Sequence, residues 1–175
     1  MLHGASAPTP PPIWALAQRL ETLALPPVPG DPSPPGDRRS WSPGAFAPAG
    51  GRCAAQPSLS AVEVAGNDVV LREAGTAVRF RMGLGTWAVS EPSPGTGEPA
   101  VPVAVSGGWV EASTLRFDVM FLETPHRLLV TCDRDTGTFD ATWATPPLQP
   151  LELRELHAPR TPTTLRTGSP VEPGP

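Results

Sequence analysis

Between Thr114 and Leu122 the apolar residues Leu115, Phe117, Val119 and Phe121 alternate with polar Arg116 and Asp118. A period of two is what a strand with one buried face produces. Glu123-Thr124-Pro125 ends the run, because proline has no N–H for a ladder and fixes φ. From His126 to Cys132, Leu128 and Val130 alternate with Arg127, Leu129 and Thr131. Asp133 to Gly137 carries turn residues, and Phe139, Ala141 and Trp143 mark a third run. The pattern predicts three consecutive antiparallel strands.

Shorter runs precede them: Leu59 to Val64, Val69 to Arg72, Ala77 to Met82, Thr86 to Ser90 and Val101 to Ser106. Ala65 to Asp68 and Glu73 to Thr76 are short enough to be hairpin turns. Roughly eight short strands with tight turns predict an all-β antiparallel meander that closes into a barrel or curled sheet, lipocalin-like in shape. Ahead of it, Ile13, Leu16, Leu20 and Leu23 recur at helical spacing, so 13–25 is expected to be one short helix. Residues 26–39, which begin PPVPGDPSPPGD, read as a Pro/Gly linker with no means of building a ladder. The β-domain is expected over 40–158, with disordered ends at 1–12 and 159–175.

Composition narrows the function. The chain has 175 residues, 26 of them Pro and 17 Gly, and a formal net charge of -4. Without a basic run it lacks the electrostatic footprint of a nucleic-acid binder. No stretch reaches the ~20 apolar residues of a membrane span, and the N-terminus does not have the form of a secretory signal. Cytoplasmic residence is the expectation. All 13 basic residues are Arg, and Lys and Tyr are absent, as codon bias in a GC-rich genome would produce. Mechanisms that use a lysine base, a Schiff base or a tyrosine proton shuttle are therefore closed to this polypeptide.

The candidate chemistry is sparse. His3, His126 and His157 lie far apart, Cys53 and Cys132 are single, and neither a metal site nor a cofactor is expected. His126 reads as a half-exposed turn residue making one hydrogen bond. Gly83-Leu84-Gly85 lacks the third Gly, the helix and the Lys of a phosphate cradle, and reads as a tight strand connection. Glu123 and Arg127 could pair across their turn as a surface ion pair of small weight. Trp87, Trp109 and Trp143 are candidates to line a ligand cavity, although a core short of Ile and Leu would use the same rings as filling.

In order along the chain, L-A-L-P-P-V-P-G (Leu23 to Gly30), G-L-G-T-W (Gly83 to Trp87), G-G-W (Gly107 to Trp109) and L-R-F-D-V-M-F-L-E-T-P-H-R-L-L-V-T-C (Leu115 to Cys132) form a set. The set resembles the C-terminal β-domain of serine hydrolases related to class C β-lactamases and penicillin-binding proteins, over roughly residues 13 to 158. Those enzymes carry S-x-x-K, Y-x-N and a K-T-G or H-x-G motif in a separate catalytic domain. Without Lys or Tyr, the first two cannot exist here, so no catalytic residue carries over. The resemblance implies an accessory domain, not an enzyme on its own, either standing alone or left by truncation, with a serine hydrolase catalytic domain as partner. A lipocalin-like barrel for a small hydrophobic ligand is the alternative.

Overall fold

The structure is a computed structural model that describes residues 24–31, 44–73, 75–93 and 98–159. The expected helix falls almost wholly outside these residues. Ten strands are present: β1 (Gly44–Pro48), β2 (Leu59–Ala65), β3 (Asp68–Glu73), β4 (Thr76–Arg81), β5 (Gly83–Leu84), β6 (Ala88–Ser90), β7 (Val103–Trp109), β8 (Thr114–Phe121), β9 (Arg127–Asp133) and β10 (Thr138–Thr145). They form one sheet in the order β4-β3-β2-β1-β10-β9-β8-β7-β5, with β6 also on β7. The sheet curls until its ends meet, where the Arg81 N–H approaches Ser90 Oγ at 3.5 Å. The protein is an all-β, nearly closed barrel.

Most joints are antiparallel hairpins, as the alternation requires. Two are not: β1 lies parallel to β10, and β5 parallel to β7. Both strands are additions to the eight expected from sequence. Gly-Ala-Phe-Ala-Pro has one strand-forming side chain, and its conformation is imposed by β2 on one side and β10 on the other. β5 is two residues long and carries no periodicity at all.

The predicted stripe of β8 faces inward. Leu115, Phe117, Val119 and Phe121 are buried opposite Trp109, Gly107, Val105 and Val103 of β7. With Leu128, Val130, Cys132, Phe139, Val62, Leu71, Phe80 and others they form one continuous core. Gly107 is part of this fit. A Cβ there would stand 2.6 Å from Cβ of Phe117, so only glycine lets β7 pass that ring.

Two segments outside the strands complete the barrel. Residues 24–31 cross the outer face of β7, where Asp31 and Trp109 form an antiparallel bridge. The linker builds no ladder among its described residues, but it makes this single bridge. Its prolines have no N–H, but Val28 and Asp31 do, and a bridge needs only one such residue. At the other end of β7, residues 146–158 fold back and bury Leu153 and Leu156 in the core.

Candidate functional site

Among the described residues four polar side chains are buried: Gln56, Glu73, Ser106 and Asp118. They fall into two pairs: Gln56 and Glu73 beneath the C-terminal segment, and Ser106 and Asp118 side by side in the middle of β7 and β8, with Val28 over Ser106.

In the first pair, Glu73 closes β3 and points under the C-terminal segment. One carboxylate oxygen accepts from Gln56 Nε2 at 3.0 Å and from the Ser58 hydroxyl. The other accepts from the Leu153 N–H at 2.7 Å. Gln56 Nε2 also reaches the Leu151 carbonyl at 2.7 Å. Both oxygens of a buried carboxylate are thus satisfied, which a stable buried charge requires. The Ser58 hydroxyl donates into this network, which latches the C-terminal segment to the barrel.

Beside the latch runs an open groove of about 590 Å³, lined by Gln56, Ser58, Trp143, Pro147, Pro150 and Glu155 among others. Trp143 forms its aromatic wall. Its indole N–H donates to the Ala55 carbonyl at 2.9 Å, and Phe121 and His126 pack against its ring with centroids 6.0 and 6.2 Å away. His126 Nδ1 lies 3.1 Å from the Thr145 carbonyl, in the structural role read from the sequence. Arg154 bridges Glu98 and Glu152 at the rim, and the Glu152 charge holds its guanidinium more firmly protonated still.

In the second pair, Ser106 and Asp118 face each other at mid-strand across β7 and β8 on the outer surface. The Val28 N–H donates to Ser106 Oγ at 3.0 Å. Asp118 Oδ2 accepts from Arg127, with Nε at 3.1 Å. Asp118 Oδ1 has no hydrogen bond, and Arg116 Nε lies 4.0 Å from it. Arg127 therefore pairs with Asp118 rather than with Glu123, which accepts the Ala158 N–H at 2.9 Å. Sequence proximity favoured Glu123. The β8–β9 register, with Asp118 opposite Leu129 and Met120 opposite Arg127, carries the guanidinium the other way.

The three candidate tryptophans have three separate settings. Trp109 is 5% exposed and belongs to the core. Trp87 is half-buried outside the barrel, with its N–H on the Leu25 carbonyl at 2.9 Å. Only Trp143 lines the groove just described. Among the described residues no three His, Cys, Asp or Glu side chains are grouped to hold a metal, and no helix is long and apolar enough to cross a membrane. Cys53 and Cys132 are buried and free, and burial pushes the Cys132 thiol well above its ordinary pKa. Sequence reasoning missed Gln56, Glu73, Ser106 and Asp118 as a group. An isolated Ser, Gln or acid in a strand or turn looks like surface until its cover is known.

No family model, no curated protein and no solved structure matches this chain.

Proposed function

We propose that the chain is a non-catalytic accessory β-domain of a β-lactamase-related serine hydrolase, which docks on a catalytic domain encoded with it or beside it. One observation supports the reading. Each motif of the resemblance sits at a structural joint of a single unit: Gly83 in β5, Gly107-Gly108-Trp109 ending β7, Glu123 to His126 turning β8 into β9, and Leu25 to Gly30 lying on β7. Motifs that recur because a barrel needs them fall at such joints, whereas motifs that recur for chemistry converge on one cavity.

The DNA immediately upstream tests this. A frame encoding S-x-x-K and Y-x-N is expected there, and its product should associate with the purified chain. All hydrolysis of nitrocefin or simple esters should belong to that product. Absence of such a frame, or turnover by this chain alone that a serine reagent abolishes, overturns the reading.

The Trp143 groove favours a second reading, binding of a small hydrophobic ligand. It would place the ligand on the outside of the barrel, because the inside is filled by Phe46, Phe117, Phe121, Phe139 and their neighbours. A titration with fatty acids or aromatic probes that moves the fluorescence of the wild type but not of Trp143→Phe would support it. No change with any probe would dismiss it.

A further inference from the structure

We infer that the outer strip of β7 from Ser106 to Trp109 is a peptide-binding groove, and that residues 25–31 are its tethered ligand. The ligand class is an extended Val-Pro-Gly-Asp segment. The inference stands apart from the accessory-domain reading, since it concerns only how the barrel recognises a stretch of polypeptide.

The strip has the parts of a recognition site. The edge of β7 away from β8 is completed in three pieces: β6 pairs Val103 to Val105, β5 pairs Ser106 and Gly107, and Asp31 pairs Trp109. The first two are strands in their own right. The third is a single residue, with Asp31 N to Trp109 O at 2.8 Å and Trp109 N to Asp31 O at 2.9 Å. This is strand addition to a sheet edge, a common way of binding peptides.

Three further contacts read the sequence of the segment. Val28 is its one buried side chain, at 4% exposure, and its N–H is taken by Ser106 Oγ. Gly30 lies flat on Gly108, and a Cβ on Gly30 would stand 2.8 Å from the backbone carbon of Gly108. A Cβ on Gly108 would meet Gly30 at 2.9 Å. Leu25 offers its carbonyl to Trp87. Three of residues 26–31 are prolines without an N–H, and of the three N–H groups left, Val28 and Asp31 both donate to the barrel. A segment so poor in donors that still spends two on one surface is bound there, not draped over it.

The tether explains why so few contacts suffice. Residues 32 to 43 join the segment to β1, and a covalent connection of that length supplies an effective concentration of order millimolar.

The test keeps the whole chain and cuts the tether. A protease site placed within residues 32 to 43 is cleaved after folding, and the product is run on gel filtration at tens of micromolar. The N-terminal fragment should co-elute with the barrel. A synthetic peptide of residues 24–31 in excess should displace it, and the same peptide with Gly30→Val should not. Ser106→Ala should weaken retention about five- to tenfold, the loss of one hydrogen bond. Gly108→Val should release the fragment altogether, with circular dichroism confirming the barrel. If the cut wild-type fragment separates freely, or if neither peptide competes, or if both compete equally, the groove does not exist as described.

Discussion

The two proline-rich segments make opposite use of the same barrel. The C-terminal one, residues 146–158, is fastened by side chains: Glu73 takes the Leu153 N–H, Glu123 takes the Ala158 N–H, and Leu153 and Leu156 are sunk in the core. The N-terminal one, residues 24–31, is fastened through main chain, by the Asp31–Trp109 bridge and the Val28 N–H, with a single buried valine. The first completes the hydrophobic core; the second completes the edge of β7 at Trp109 and buries only Val28. Prolines take N–H groups from each segment, and where the remaining ones land decides whether the segment is part of the fold or a guest on it.

The contrast predicts unequal energetics, and the largest effect belongs to the C-terminal end. Leu153→Ala should cost about 2–5 kcal/mol, because it empties a fully enclosed site. Urea denaturation should show the loss as a lower midpoint at unchanged slope. A cost below that of Val28→Ala would reverse the comparison. Glu73→Gln follows at about 1–3 kcal/mol. Whichever way its amide is turned, the NH2 faces a donor, either the Leu153 N–H or the Gln56 and Ser58 groups. A neutral result would mean that the latch is not closed.

The cysteines report on the two ends separately. Cys132 lies in the row Trp109–Leu115–Cys132–Phe139, at the end where residues 24–31, the N-terminal strap, bridge to Trp109. Cys53 lies two residues before Ala55, whose carbonyl takes the Trp143 N–H, at the other. Gly108→Val should raise alkylation of Cys132 by iodoacetamide more than that of Cys53, and Leu153→Ala should do the reverse. Mass spectrometry of the labelled chain decides, and equal changes would show that the ends open together. Burial also gives Cys132 a pH signature. Its folded-state pKa is raised, so its contribution to stability is whole below the unfolded thiol pKa of about 8.5 and falls as pH climbs beyond it, by about 1.4 kcal/mol per unit. Replacing Cys132 with Ala should flatten that slope.

The β8–β9–β10 alternation was legible at once, because period-two patterning with large side chains has no rival reading, and Leu115, Phe117, Val119 and Phe121 face inward as the pattern requires. The barrel-like class followed from the hairpin turns. β1 and β5 were not legible, since Gly-Ala-Phe-Ala-Pro and Gly-Leu owe their strand geometry to neighbours far along the chain. The buried polar pairs were hidden for the same reason. Val28 meets Ser106 across 78 residues and Leu153 meets Glu73 across 80. No local pattern carries a contact of that range. Proline content spoke only of helices and ladders that could not form, and was silent about the two N–H groups that did bind.

The smallest expected effect is the most discriminating. Ser106→Ala should cost only about 0.5–1.5 kcal/mol in global stability, the usual worth of one hydrogen bond. In hydrogen exchange its effect should be local, with the amides of Val28 and Asp31 exchanging faster and those of Leu153 and Ala158 unchanged. That pattern follows if the strap opens without the barrel, because only sub-global opening exposes a donor while the core stays shut. Were all four amides to accelerate together, the strap would be as much a part of the fold as the C-terminal segment. The difference between main-chain and side-chain fastening would then have no energetic meaning.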